Sequence, residues 1–280
     1  MRRIFTLLCI CGTVWVNQAQ VQTPKASVPE SLKTQVGLTE INIEYSRPSK
    51  RDRTLFGEVV PYGEMWRTGA NASSTIQFSD DVIMDGQTVK AGKYAIFTIP
   101  EENNWTLFLY DETNNWGNQV QWDDKKVVAK TVVNVVKNAP SQETFSISLD
   151  HITMDSAMLT LQWGEVLVAA KIEVPTDKKA MASIQKTMSN NPEAQDYLDA
   201  ANYYSNTNKD IQQAKTWIDT GIKMLDKPAF YQLYAQALIH YKAGDKNSAL
   251  SIAKRSLEAS IAANDGAYIR MNKELIEKIK

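Results

Sequence analysis

Residues 91–110 read AGKYAIFTIPEENNWTLFLY, and this stretch decides the fold of the first part of the chain. The Ala91-Gly92 turn opens a run of apolar and β-branched residues that Pro100 stops, because proline cannot donate a ladder hydrogen bond. Asn103-Asn104 then turns the chain into a second run, from Trp105 to Tyr110. Two short apolar runs joined by turn residues predict an antiparallel hairpin.

Similar runs recur from about Gln35 to Val174, separated by Gly, Asn and Asp. Asp85-Gly86 supplies the positive-φ pair of another tight hairpin. Nine or so short antiparallel strands predict a sandwich or a jelly roll at residues 35–175, after a linker at 20–34. The predicted strands are Ile41–Tyr45, Thr75–Phe78, Val82–Met84, Tyr94–Ile99, Trp105–Tyr110, Val127–Val136, Phe145–Leu149, Met158–Trp163 and Val166–Val174.

Beyond Pro175 the apolar residues recur three and four apart, which predicts an α-helical domain at residues 176–280 and an α+β chain in two parts. The predicted helices are Ser183–Met188, Ala194–Tyr204, Ile211–Leu225, Ala229–Lys242, Lys246–Ala263 and Tyr268–Ile279, with Gly, Pro and Asn residues at the breaks between them. Tyr203-Tyr204 before Ala214 parallels His240-Tyr241 before Ala249, and the two alanines lie 35 residues apart. This resembles the tetratricopeptide repeat, whose period is about 34 residues. Two readings stay open: a concave groove for a protein or peptide partner, or helices that simply pack against the β domain.

The N-terminus predicts a secretory signal peptide at residues 1–19. Arg2-Arg3 precedes the apolar run Ile4–Val16, which is about 13 residues long and too short to span a bilayer. We therefore expect an exported protein, periplasmic or extracellular, with no membrane span. Cys9 and Cys11 are the two cysteines of the chain, so the processed protein has no disulfide and no thiolate ligand or nucleophile.

The charge balance argues against nucleic acid as a partner. The chain has 31 Lys and Arg against 32 Asp and Glu, a formal net charge of −1, with no basic cluster. Neutralising phosphates requires clustered Lys and Arg.

The sequence contains no recognisable catalytic set, and we predict no cofactor and no metal site. His151 and His240 are the two histidines, and no nucleophile elbow, zinc-protease motif or phosphate-binding loop is present. Asp80-Asp81 and Asp123-Asp124 occur where turns are predicted. An alternative hypothesis is a carboxylate-dependent hydrolase acting on glycans through acids such as Asp80 or Asp123.

The segment from Ser46 to Asn71 is rich in arginine, glycine and aromatic residues, and long loops of this kind tend to be functional. A tryptophan face beside an arginine fork suits a sugar ring or a carboxylate. The alternative is that Arg67 and Asn71 satisfy backbone carbonyls while Trp66 fills the core. The candidate binding residues are Arg47, Arg53, Trp66, Arg67, Asn71 and Trp116.

The same residues carry a resemblance to a known family. Ser46-Arg47-Pro48, Arg53–Gly57 and above all Trp66-Arg67-Thr68-Gly69-Ala70-Asn71 resemble domain-of-unknown-function family 2911 (DUF2911), found in secreted proteins of Bacteroidetes and their relatives. Further matching features are Ala91–Tyr94, Ile99-Pro100, Trp105, Trp116-Gly117 and Leu161–Trp163.

The resemblance implies an exported β-sandwich-like domain, often followed by helical repeats, with no activity established for the family. The family often has an acidic residue around positions 71 and 72, where this chain has Asn71-Ala72. Asp155-Ser156-Ala157 resembles the O-glycosylation acceptor of that phylum, which predicts a glycan on Ser156.

Three functional hypotheses follow. The first is a binding module, with a small ligand or glycan in the β domain and a protein or peptide partner on the helices. The second is the hydrolase. The third is a purely structural or interaction protein.

Overall fold

A computed structural model describes residues 23–118, 121–136 and 139–280. The predicted signal peptide, residues 1–19, and positions 20–22 of the predicted linker lie outside the described residues. The described chain forms antiparallel strands followed by six helices, which confirms the two-part α+β prediction. It divides into two compact units. The first comprises the described residues up to 35 with 40–152 and 156–173; the second comprises 36–39, 153–155 and 174–280.

Eleven strands form within the described residues, and they make two antiparallel sheets. A six-stranded sheet has the order β1-β2-β3-β6-β7-β8 and a five-stranded sheet the order β5-β4-β11-β10-β9. The strands are β1 Val28–Val36, β2 Thr39–Arg47, β3 Thr75–Phe78, β4 Val82–Met84, β5 Gln87–Val89, β6 Gly92–Pro100, β7 Asn104–Tyr110, β8 Val127–Asn134, β9 Gln142–Asp150, β10 Ser156–Gly164 and β11 Val166–Glu173.

The hairpin of residues 91–110 forms as its sequence predicts. Strands β6 and β7 pair antiparallel, with Ala95 opposite Tyr110 and Pro100 opposite Trp105. The inward side chains of both sheets are mainly apolar, and the fully buried ones include Trp105 of β7 and Trp163 of β10. Burying a large apolar side chain stabilises the fold by roughly 1.5–3 kcal/mol, so this aromatic layer holds the two sheets together.

Two strands differ from the sequence-based expectation. The prediction placed a linker at residues 20–34, but β1 begins at Val28. This edge strand reads VPESLKTQV and only its last residue is buried, so it lacks the apolar alternation that reveals a half-buried strand. The short β5 follows the predicted Asp85-Gly86 turn and completes that hairpin with β4.

Six helices follow in the described chain, and the last five begin and end within about two residues of their predicted bounds. Aspartates cap three of them: Asp210, Asp245 and Asp265 each accept backbone N–H bonds from the first turn of the helix that follows. The helices are α1 Thr176–Met188, α2 Ala194–Asn206, α3 Ile211–Lys223, α4 Phe230–Lys242, α5 Lys246–Ala262 and α6 Gly266–Ile279.

Helix α1 starts seven positions before the predicted Ser183, because its first two turns are mainly polar and hide the helical period. Apolar clusters join α2, α3 and α4, and then α4, α5 and α6. The tetratricopeptide resemblance of these helices stays a prediction. None of the described helices is long and apolar enough to cross a membrane.

Candidate functional site

The segment Trp66–Asn71 forms a tight loop that is anchored to β6. Trp66 and Thr98 exchange backbone hydrogen bonds of 2.8 and 2.9 Å. The indole N–H of Trp66 donates to the Gly69 carbonyl at 3.2 Å. Only 7% of Trp66 is exposed, and its ring stacks on Trp163 with 5.9 Å between centroids. Trp66 thus fills the core and offers no open face on which a sugar ring could stack.

This loop holds an unusual backbone conformation. Thr68 has φ +57°, which is a genuine outlier for a β-branched residue. Its carbonyl accepts a hydrogen bond from Ser74 Oγ at 2.5 Å, and its hydroxyl lies 3.1 Å from Thr98 Oγ1. At Gly69, with φ +146°, a Cβ would lie 2.8 Å from Ser74 Oγ. Such outliers persist where the surroundings fix them, and they cluster at ligand clamps.

A second segment, residues 115–118, lies against this loop. The backbone N–H of Ser73 donates to the Asn115 carbonyl, and that of Gly117 donates to the Asn71 carbonyl, both at 3.0 Å. These bonds bring the side chain of Asn118 to Arg67. Its Oδ1 accepts from the Arg67 backbone N–H at 3.1 Å and lies 3.5 Å from Nη1. Two distant segments therefore position one guanidinium.

Arg67 lines a cavity of about 380 Å³, which we call the Arg67 pocket. This volume lies in the range of small-molecule sites. Arg51 and Arg53 also line it, and Glu64 is the one acidic residue that the described part of the chain places in its lining. The remaining lining includes Pro48, Ser49, Val60, Met65, Trp66, Gly69, Asn118 and Trp163.

The charge of Arg67 is poorly compensated. Its Nε is enclosed by protein and has no hydrogen-bond partner among the described residues. Burial lowers the pKa of its guanidinium, although an arginine stays charged at neutral pH. Within the described residues no carboxylate forms an ion pair with the guanidinium group of Arg67, Arg51 or Arg53. A cation partly withdrawn from water and without a counter-ion favours an anion in the adjoining cavity.

The other two arginines are held by backbone carbonyls. Arg53 donates from Nε to Lys50 at 2.9 Å and from Nη2 to Ser49 at 2.7 Å. Arg51 donates from Nη2 to Ala26 at 3.2 Å. Carbonyl acceptors orient a guanidinium without neutralising its charge, so the pocket keeps an excess of positive charge.

Of the six candidate residues, Arg53, Trp66 and Arg67 line this pocket, while Arg47, Asn71 and Trp116 do not. Arg47 braces the sheets instead: its Nε donates to the Phe145 carbonyl at 2.9 Å, and its Nη1 pairs with Glu30 at 2.5 Å. Asn71 takes φ +63° at the end of the loop. Trp116 is 78% exposed and its backbone bridges to Ala72.

Five charged or polar residues of the pocket were not among the predicted site residues: Ser27, Ser49, Arg51, Glu64 and Asn118. Arg51 and Glu64 belong to the arginine-rich and glycine-rich segment that the sequence singles out. Asn118 comes from a different segment, and its contact with Arg67 depends on the backbone bonds of Ser73 and Gly117. No spacing within the sequence reveals such a contact.

The family comparison bears on this part of the chain. A family model described as "Protein of unknown function (DUF2911)" matches residues 27–172, which is more than half of the chain. The chain belongs to this family. The DUF2911 segment contains every charged residue of the Arg67 pocket. Searches of curated proteins and of solved structures returned no match. The DUF2911 description assigns no activity.

The acidic pairs considered for catalysis serve local turns in the DUF2911 domain. Asp80 accepts from Ser79 Oγ at 2.8 Å, and Asp81 accepts from the Ala91 backbone at 2.9 Å. Asp123 accepts from the Lys125 backbone at 3.0 Å. Among the described residues no group of three or more His, Cys, Asp or Glu side chains is arranged to hold a metal ion.

Proposed function

We propose that the DUF2911 domain of this chain is a binding module for a small carboxylate-bearing ligand, such as an acidic sugar. The observation that carries the proposal is the Arg67 guanidinium, which borders a cavity and lacks a carboxylate partner. In the same proposal the protein works outside the cytoplasm, as its predicted signal peptide implies.

The shape and charge of the pocket support this ligand class. Arginine presents planar, bidentate donors that match a carboxylate. The Nη2 of Arg67 makes no hydrogen bond within the described residues and, unlike Nε, is not fully enclosed. Asn118, Ser49 and the backbone around Gly69 supply polar groups for hydroxyls of the same ligand. Arg51 and Arg53 add long-range attraction for an anion.

The hydrolase hypothesis has less support. Glycoside hydrolysis uses two carboxyl groups on either side of the scissile bond, whereas Glu64 is the one acidic residue lining the Arg67 pocket. A second cavity, of about 450 Å³, has both Glu30 and Glu44 in its lining. Each of them is neutralised, Glu30 by Arg47 at 2.5 Å and Glu44 by Lys93 at 2.6 Å. A purely structural loop would pair Arg67 fully, and it is not fully paired.

A thermal-shift experiment tests the proposal with a matched pair of ligands, glucuronate and glucose, which differ in the carboxylate. A ligand at ten times its dissociation constant stabilises the native state by about 1.4 kcal/mol. This corresponds to a rise of about 3–6 °C in the melting temperature of a chain of this size. We expect glucuronate or another carboxylate of a screened series to raise the melting temperature, and its neutral counterpart to have no effect.

Three variants locate the site. Arg67→Gln abolishes the shift, and Arg51→Gln, a milder change at an exposed residue, reduces it. Arg255→Gln, an exposed arginine of α5 outside the pocket, leaves it intact. The proposal fails if no carboxylate shifts the wild type, or if the shift survives in a folded Arg67→Gln.

A further inference from the structure

An apolar groove runs between helices α1 and α2 in the second unit. Its volume is about 430 Å³. Ala180, Ile184 and Met188 of α1 and Ala200 of α2 line it, together with residues of two turns that belong to the same unit. We call this feature the α1–α2 groove.

Helix α1 is covered less than the helices after it. Two of its residues, Thr176 and Ala180, are buried, whereas Ile184 and Met188 are only partly buried. The apolar cluster that joins α2 to α3 and α4 contains no residue of α1. Of the two turn residues beside the groove, Leu38 is 42% exposed and Met154 is 49% exposed. Together these side chains leave a continuous apolar surface in contact with solvent.

The same unit shows how such a groove is filled elsewhere. Leu275, Ile276 and Ile279 of α6 pack in one cluster with residues of both α4 and α5. A third helix therefore covers the apolar face of that helix pair. Among the described residues, none from α3 to α6 lines the α1–α2 groove.

The rim of the α1–α2 groove is acidic. Asp196 and Asp199 line it one turn apart on α2, and residues three apart share a helix face. Asp196 accepts the Glu193 backbone N–H at 2.8 Å, and Asp199 accepts the Gln195 amide at 2.8 Å. Neither forms an ion pair with a described residue. No Lys, Arg or His of the described chain lines the groove, and the neighbouring Lys179 donates from Nζ to the Leu38 carbonyl at 2.6 Å. A partner that matches this surface has an apolar face flanked by basic side chains.

We propose that the α1–α2 groove binds a basic amphipathic helix of a partner protein. Apolar side chains of that helix pack on Ile184 and Met188, and its Lys or Arg residues lie beside Asp196 and Asp199. Helices α1 and α2 have 13 residues each, about 20 Å in length, which sets the bound segment at about three to four turns. This site is separate from the Arg67 pocket and does not depend on the function proposed for it.

Two fluorescein-labelled probe peptides test the charge preference in anisotropy titrations of the purified protein. Both are amphipathic helices of about 14 residues with the same leucine positions, and the polar positions are Lys in one and Glu in the other. We expect saturable binding of the Leu/Lys peptide and at least about tenfold weaker binding of the Leu/Glu peptide, because complementary charge selects the partner. No saturable binding, or equal binding of the two peptides, overturns the proposal.

Matched variants test the location. Met188→Gln weakens binding of the Leu/Lys peptide about tenfold, while Met224→Gln, at a methionine that is 51% exposed elsewhere, changes it less than twofold. Asp199→Asn weakens it about threefold, while Asp226→Asn, in the loop after α3, does not. Equal losses in the control variants overturn the proposal. Arg67→Gln leaves peptide binding unchanged, so the two proposed sites fail or succeed separately.

Discussion

At Gly69 the loop of residues 66–71 passes so close to its neighbours that no side chain fits. An added Cβ would meet Ser74 Oγ at 2.8 Å and the Ser46 carbonyl at 3.0 Å. This contact fixes the direction of the loop, and with it the place of Arg67. The conformation at Thr68 is maintained by hydrogen bonds on both its hydroxyl and its carbonyl.

Gly69→Ala is therefore expected to destabilise the protein by about 2–4 kcal/mol, from backbone strain and overpacking together. Gly86→Ala is the matched control, because Gly86 also has positive φ but a Cβ added there would meet no atom within 4 Å. Its cost should be about 1–2 kcal/mol, from the left-handed backbone conformation alone. Urea unfolding of both variants measures the difference, and equal costs would show that the close contacts at Gly69 do not matter.

Substitution of the two tryptophans of the predicted site should have very different effects on stability. Trp66 lies in the aromatic core, so Trp66→Ala should cost about 3–5 kcal/mol of unfolding free energy. Trp116 is 78% exposed, and Trp116→Ala should change stability by less than about 0.5 kcal/mol. Denaturant melts followed by far-UV circular dichroism give both values. A stability loss at Trp116 comparable to that at Trp66 would contradict these placements.

The N-terminus of helix α5 is stabilised by a charged N-cap residue, Asp245. Asp245 accepts the Ser248 backbone N–H at 3.2 Å and pairs with Lys215 at 2.7 Å. The pKa of Asp245 lies well below its usual value, and the hydrogen bond from Lys215 is the largest cause. The hydrogen bonds from Ser248 and from His240 lower it further. Because the folded-state pKa is the lower one, the stabilisation is present above about pH 4 and is lost as the pH falls further.

Asp245→Asn keeps a good N-cap and removes the charge. We expect this variant to melt below the wild type at pH 7, with the difference shrinking as the pH falls below about 4. Asp226→Asn, at an exposed loop position, should have the melting temperature of the wild type at every pH. Thermal melts at a series of pH values make the comparison. A difference between Asp245→Asn and wild type that does not change with pH would mean that the charge of Asp245 does not stabilise α5.

At the level of elements, the sequence predicts the parts of the fold that have a regular apolar period. The hairpin of β6 and β7 and the breaks before α2 to α6 follow from alternation, turn residues and caps. The same reasoning misses β1 and the first turns of α1, because an exposed edge strand and a mainly polar helix start have no such period. The pocket is harder to predict from the sequence than these elements, because Asn118 contacts Arg67 only after two separate segments have paired.

For the whole molecule, two predictions concern its processing. The chain isolated after export should have the intact mass of residues 20–280, because the segment 1–19 is expected to be removed. A further mass increment that maps to a peptide with Ser156 would support the predicted glycan. Mass spectrometry of the intact protein and its digest measures both. If residues 1–19 are still present in the isolated chain, the export prediction is wrong. If Ser156 carries no added mass, the prediction of a glycan there is wrong.

The central claim is that an anion binds at the Arg67 guanidinium. NMR of the Arg67 Hε–Nε group reports on a change at this guanidinium, with the resonance assigned by its absence in Arg67→Lys. On titration with the carboxylate that raises the melting temperature, this resonance should shift and saturate in step with the thermal effect, while the signal of Arg255 stays in place. If the Arg67 resonance does not move while the ligand binds, the carboxylate lies elsewhere and the account of the pocket is wrong.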